Sequence, residues 1–133
     1  MQGIKLLSFS TFGDENGLLS VIEGAEKLPF EIKRVYYIYN TKKDFIRGKH
    51  AHRKLQQILF CPKGSCDFIL DDGRERQTVR LDRPDKGLYI CGPVWREFTN
   101  FSPDCVVVVL ASEKYDEAEY IRNYDEFLKE VKQ

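Results

Sequence analysis

What this sequence lacks already narrows its function. No apolar run approaches the roughly 20 residues that a membrane span needs, and the opening MQGIKLLSFSTFGDENG lacks the basic, apolar and small-residue order of a secretory signal. A cytoplasmic chain with no membrane partner is expected. Neither sign of charge is in excess, since lysine plus arginine number 21, aspartate plus glutamate number 21, and the formal net charge is zero. Bulk positive charge is therefore not available to hold duplex nucleic acid, which is set aside as a partner, although a local basic pocket is still allowed. Cysteine is sparse, and three of the four (Cys61, Cys66, Cys91 and Cys105) sit in or beside apolar strand-like runs. Reduced thiols there behave as small hydrophobes, so buried free cysteines are expected rather than disulfides. The CPKGSC turn has no second cysteine pair and no nearby histidine to complete a zinc site.

What is present suits one core. The chain has 133 residues, 42% of them hydrophobic and 13% aromatic, which predicts a single domain over residues 1–133 rather than two. Short β-branched and aromatic runs punctuated by Gly, Pro and Asp predict strands at Ile4 to Phe9, Leu18 to Glu23, Lys33 to Tyr39, Gln57 to Cys61 and Cys66 to Leu70. Further strands are predicted at Arg76 to Leu81, Gly87 to Ile90, Glu97 to Asn100 and Cys105 to Ala111. Pro62-Lys63-Gly64 and Asp71-Asp72-Gly73 supply turn chemistry for two hairpins in series. From Asp116 the pattern changes: Tyr120, Tyr124, Leu128 and Val131 recur at helical spacing, which predicts a helical segment over 116–131 with a break near Asn123. An all-β, two-sheet jelly roll of the cupin kind, closed by a short C-terminal helical segment, fits this order. Such a barrel is open at one end, where a small ligand can enter.

Both histidines of the chain, His50 and His52, lie in the string RGKHAHRKLQQ. If that stretch is extended, both imidazoles project from one face and Ala51 turns away. Paired histidines on a strand suggest a metal site, but Gln56 stands where a carboxylate ligand would be needed and no third histidine exists. The reading is therefore metal-free, with no cofactor, and the chemistry is proton transfer by imidazole beside a carbonyl in an anionic substrate. Nearby Arg47 and Lys49 favour the neutral ring and can bind phosphates. Trp95 and Arg96 in GPVWREF offer a stacking face and a donor fork, though a tryptophan at a strand edge is also an ordinary core or rim aromatic. In IKRVYYIY, Arg34, Tyr36 and Ile38 share one face and Val35, Tyr37 and Tyr39 the other. Either Arg34 with Tyr36, or Tyr37, lines the mouth.

PFEIKRVYYIYN, RGKHAHRKLQQILFCPKGSC, LDDG, GLYICGPVWREF and VLASEKYDEAEYIRNYDEF together resemble the cupin-fold sugar 3,4-ketoisomerases that act on dTDP-4-keto-6-deoxyglucose, in order from Glu23 to Phe127. The resemblance implies a metal-independent isomerase that moves the keto group of a dTDP-linked 6-deoxyhexose from C4 to C3, ahead of transamination to a 3-amino sugar. It also implies a homodimer with exchanged N-terminal strands. The family's two histidines fall on His50 and His52, one shuttling a proton between C3 and C4 through an enediol, with His52 preferred for the shuttle. By the same resemblance Arg34, Tyr37, Arg47 and Arg96 contact the sugar or diphosphate, and Trp95 lies beside the sugar. Two positions bear on the configuration at C4 and fall on Asn16 and Arg96. Arg96 resembles the branch with a gluco-configured product, whereas Asn16 matches neither pattern. Two rival readings are a 3,5-epimerase of the same nucleotide sugar and a noncatalytic sugar-nucleotide-binding cupin.

Overall fold

The computed structural model describes residues 1–24 and 28–132. The strands are β1 (Ile4–Ser8), β2 (Ser10–Asp14), β3 (Gly17–Val21), β4 (Arg34–Ile38), β5 (Arg47–His52) and β6 (Gln56–Lys63). They continue as β7 (Cys66–Asp71), β8 (Arg76–Leu81), β9 (Lys86–Cys91), β10 (Trp95–Thr99), β11 (Val106–Ala111) and β12 (Tyr120–Ile121), and the chain ends in α1 (Tyr124–Val131). One sheet runs β1-β9-β6-β11-β4, the facing sheet runs β12-β5-β10-β7-β8, and β2 with β3 forms a separate hairpin. All these pairings are antiparallel. This is the two-sheet arrangement expected from the short alternating runs.

Alternation decides what each sheet buries. Leu59, Phe68, Leu70, Leu88, Ile90, Phe98, Val107 and Val109 point between the sheets and form the main core together with Cys61, Cys66 and Cys105. Those three thiols are buried and free, and Cys91 is free and exposed. The outer face of the first sheet carries Ile58 and Leu110, against which Phe30 packs. The two serial hairpins form as the turn residues dictate, with Gly64 at φ +77° and Gly73 at φ +93°.

The C-terminal segment departs from expectation. A single-turn 3-10 helix at Glu117–Glu119 precedes β12, and α-helix begins only at Tyr124, with the Asn123 side chain capping it by accepting from the Glu126 amide. Tyr120 and Ile121 are strand because their backbone finds partners on the free edge of β5, Tyr120 opposite His52 and Ile121 opposite Ala51. Tertiary pairing overrides the helical spacing of Tyr120 and Tyr124. The helix then lays Phe127 over Trp95, Ala51 and Ile121 on the outer face of the second sheet. Among the described residues no helix is long and apolar enough to cross a membrane.

Trp95 is the only tryptophan and lies beneath this helix, with its ring 5.9 Å from that of Phe127. Phe127→Ala leaves a void under the helix and is expected to cost about 3 kcal/mol or more of stability. Urea unfolding followed by Trp95 fluorescence measures it, with a red shift in native emission if the helix lifts.

Candidate active site

The histidine strand owes its geometry to a bulge. Across β10, Arg96 pairs with His50 and Glu97 with Gly48, so Lys49 is an extra residue on β5. Gly48 has φ +85°, and a Cβ there would sit 3.0 Å from the Arg96 carbonyl oxygen, so the backbone needs glycine at this point. Beyond the bulge the strand is regular, and the His50 and His52 rings lie on the same side with centroids 4.8 Å apart. Ala51 turns the other way, into the cluster under α1.

The two rings differ in depth. His50 lines an open cavity of about 460 Å³ at the end of the barrel, together with Arg34 and Tyr36 of β4, Arg47 and Phe98 from the second sheet, and Tyr120 and Arg122 from the C-terminal segment. His52 is 0% exposed and does not line the cavity. It lies behind His50 and edge-on to Tyr120, whose ring is 4.4 Å away. The ring that reaches the cavity is therefore His50, and His52, expected as the shuttle, sits behind it beside β12.

Both rings are held neutral. Burial, and then the Arg96 guanidinium, lower the His50 pKa to about 4. The same two causes act more strongly on His52 and hold it far below the usual histidine range. The His50 Nδ1 is buried without a partner, which leaves Nε2 as the nitrogen open to the cavity.

Arg96, expected to contact the sugar or diphosphate, lies enclosed in this chain. Its side chain is 1% exposed and points between the sheets; Nε and Nη2 donate to the Val94 carbonyl at 3.2 and 2.9 Å, and Nη1 donates to Gln57 Oε1 at 2.6 Å. Burial pushes its pKa down to about 10, so it stays cationic at neutral pH. Trp95, one residue away, faces the opposite side, 4% exposed beneath α1, with its indole N–H donating to Glu97. It does not line the cavity, because alternation along β10 gives the interior to Arg96 and Phe98.

The remaining predicted residues fall around the mouth or outside it. Arg34 reaches the cavity with its guanidinium 5.2 Å from the centre of the Tyr36 ring, and its Nε is buried without a partner. Arg47 lines the cavity and is exposed, and Tyr37 stands at the rim, 62% exposed. Asn16 is an exposed residue of the β2–β3 turn, its amide donating to Asp14, and does not line the cavity of its own chain.

Tyr115, Tyr120 and Arg122 were not anticipated. Arg122 stacks on the Tyr120 ring at 4.4 Å and is paired with Glu117 at 2.7 Å, which holds the Glu117 carboxyl at about 2. The usable signal was the alternation of Tyr120, Ile121 and Arg122, which the helical spacing of the surrounding residues obscured. Three arginines, Arg34, Arg47 and Arg122, thus face a cavity whose one imidazole is uncharged, a setting suited to a substrate carrying phosphate.

Comparison with known proteins agrees with this geometry. The family model described as "FdtA: WxcM-like, C-terminal" matches residues 2–132. The TDP-4-oxo-6-deoxy-alpha-D-glucose-3,4-oxoisomerase of Aneurinibacillus thermoaerophilus is 51% identical over 127 residues, covering 96% of this chain and 91% of that protein. The 3,4-ketoisomerase QdtA of Thermoanaerobacterium thermosaccharolyticum, solved as a histidine-to-asparagine variant with TDP-4-keto-6-deoxyglucose, superposes with a TM-score of 0.95 at 47% identity, over 99% of this chain and 96% of that one. The WlaRB TDP-quinovose 3,4-ketoisomerase of Campylobacter jejuni gives 0.92 at 50% identity, over 97% and 99%. A 4-keto-6-deoxy sugar epimerase of Streptomyces spheroides shares the fold alone, with a TM-score of 0.76 at 16% identity over 90% of this chain and 68% of that one.

The chain has two histidines, so proton NMR gives two imidazole signals to follow. The His50 signal is expected to titrate near pH 4, and the His52 signal is expected not to titrate above it; a midpoint at 6 or higher for His50 contradicts the geometry. Because the folded value lies below the ordinary 6.5, the unfolded chain binds more protons between pH 6.5 and 4. Stability from this group is complete above 6.5 and is lost as pH falls toward 4.

Proposed function

This chain belongs to the WxcM-like, C-terminal (FdtA) family and within it to the TDP-sugar 3,4-ketoisomerases, and from that membership we propose that it converts dTDP-4-keto-6-deoxyglucose to its 3-keto isomer. What carries the reading at this chain's own residues is a neutral imidazole, His50, facing a cavity ringed by arginines. The carbonyl at C4 acidifies the hydrogen on C3. His50 Nε2 takes that hydrogen as a proton, and the electron pair left behind moves through the new C3–C4 double bond onto the C4 oxygen. The resulting enediolate collapses the other way: the proton on the C3 oxygen is passed to the C4 oxygen, C3 becomes the carbonyl, and the protonated His50 returns its proton to C4. Atoms and electrons balance with no redox partner. General acid–base catalysis of this kind contributes roughly 10² to 10⁴ in rate.

The other roles follow from position. Arg34 and Arg47 hold the diphosphate, and Tyr37 closes the rim beside the nucleotide. His52 supports the His50 ring from behind. Arg96 acts through its buried charge rather than by touching the sugar. Arg96 at this position favours the gluco configuration at C4, in which the C4 hydrogen lies on the ring face opposite the one that the C3 hydrogen occupied, so the proton is delivered to the other face of the enediolate from the one it left. The donor set offers no third histidine and Gln56 in place of a carboxylate, so the reaction is assigned as metal-independent. Transamination at the new carbonyl is the onward step, giving a 3-amino sugar.

A homodimer accounts for the N-terminal hairpin. An isolated two-stranded hairpin is marginal in water, yet β2–β3 exposes Phe12, Leu18 and Leu19, with Leu18 76% exposed. Docking on a second copy covers these side chains and delivers Asn16 toward the partner's cavity. Sedimentation velocity is expected to give a dimer, and Leu18→Asp with Leu19→Asp to give monomer with weakened turnover; a monomeric unaltered chain discards the exchange.

The activity is tested by a proton NMR time course with dTDP-4-keto-6-deoxyglucose in deuterated buffer. A 3-keto product is expected, unaffected by chelator, and His50→Asn should slow it by about 10² to 10⁴. Exchange at C3 and C5 with the carbonyl still at C4 identifies an epimerase, and saturable binding without exchange identifies a binding module.

A further inference from the structure

Behind the cavity runs a chain of polar side chains whose direction can be deduced. A guanidinium carries only donors, so the Gln57 atom bonded to Arg96 is its amide oxygen, at 2.6 Å. The amide nitrogen is thereby turned to the Tyr36 hydroxyl, at 2.9 Å, and donates to it. The Tyr36 oxygen is thus an acceptor toward Gln57, and its proton is free to point elsewhere. Tyr36 lines the cavity.

Nothing along this chain is free to turn over. Arg96 is anchored by two bonds to the Val94 carbonyl. Gln57 is 1% exposed on the central strand β6, paired with Ile90 on one side and Ala111 on the other. Flipping its amide would set nitrogen donors against the guanidinium and leave both groups unsatisfied in the interior. Burial also raises the Tyr36 pKa, so the phenol keeps its proton.

We propose that Gln57 is a positioning residue that fixes the Tyr36 hydroxyl as a hydrogen-bond donor into the cavity, directed at the sugar oxygen that gains negative charge in the enediolate. This rests on the ketoisomerase reading above and deepens it. A pre-set donor aimed where charge develops contributes roughly 10² to 10³ in kcat.

The test reverses the polarity without removing the side chain. In Gln57→Glu the carboxylate accepts from Arg96 and also from Tyr36, which turns the phenolic proton away from the cavity. kcat for dTDP-4-keto-6-deoxyglucose is expected to fall about hundredfold, with KM within about threefold and a melting temperature no lower than that of the unaltered chain. Tyr36→Phe is expected to show a similar fall, and the double variant no further loss. Gln57→Glu at unaltered kcat, a loss shared with a raised KM or a lowered melting temperature, or a double variant losing the product of both effects overturns the proposal. Should Gln57→Glu fail to fold, Tyr36→Phe decides alone, since turnover within threefold of the unaltered chain rejects the donor. An unaltered chain that leaves the substrate unchanged sinks the ketoisomerase reading and this inference with it; an active chain with an unimpaired Tyr36→Phe sinks only the inference.

Discussion

One buried positive charge organises the site. Arg96 is enclosed between the sheets, and none of its hydrogen bonds goes to a carboxylate; the Val94 carbonyl and the Gln57 amide hold it. Taking an ion out of water costs several kcal/mol even after relaxation, and neutral acceptors return only part of that. The charge has two consequences at the cavity. In a low-dielectric interior its field reaches both imidazoles and opposes their protonation. Its donor-only chemistry also orients Gln57, and through it Tyr36.

The fold brings this charge to the histidines by strand register. Arg96 lies directly opposite His50 in the β10–β5 pair, and directly opposed residues share a face. The bulge at Gly48 and Lys49 comes immediately after, so the pairing is regular where the two functional side chains meet and irregular only where the strand turns toward the mouth. The neighbours Trp95 and Ala51 take the opposite face and meet Phe127 and Ile121 there. Consecutive residues therefore serve two layers, one setting the electrostatics of the cavity and the next fastening α1 and β12 over the strand that carries it.

The same alternation explains what could be read from the sequence. Runs such as Cys66 to Leu70 and Arg76 to Leu81 announced their strands because one face of each is apolar or they adjoin clear turn residues. β2 was missed, since Ser-Thr-Phe-Gly-Asp packs little of itself and carries almost no alternating signal. That His50 and His52 share a face followed from their spacing. Their depths did not, because depth depends on Tyr120, a residue 68 positions beyond His52, which pairs with it only after β12 joins the sheet. Trp95 and Arg96 were readable as aromatic and guanidinium, but which of them faced inward required the phase of β10. The assignment of the activity came from the ordered family strings, and local chemistry alone reached no further than proton transfer in an anionic substrate.

In the proposed mechanism, the gradient between the two rings bears on where a proton taken up by His50 can go. His52 is fully buried, and neither of its nitrogens has a hydrogen-bond partner. Each such group costs about 1 to 3 kcal/mol in the interior, and a phenyl ring would fill similar space without that cost. What the imidazole adds behind His50 is a ring whose proton affinity is depressed further still, by burial, by Arg96 and by His50 itself. A proton taken up by His50 therefore meets no better acceptor on the inner side, and the arginines at the mouth disfavour a second positive charge leaving through them. That gradient in proton affinity arises from the order of two rings along one strand relative to a single buried guanidinium.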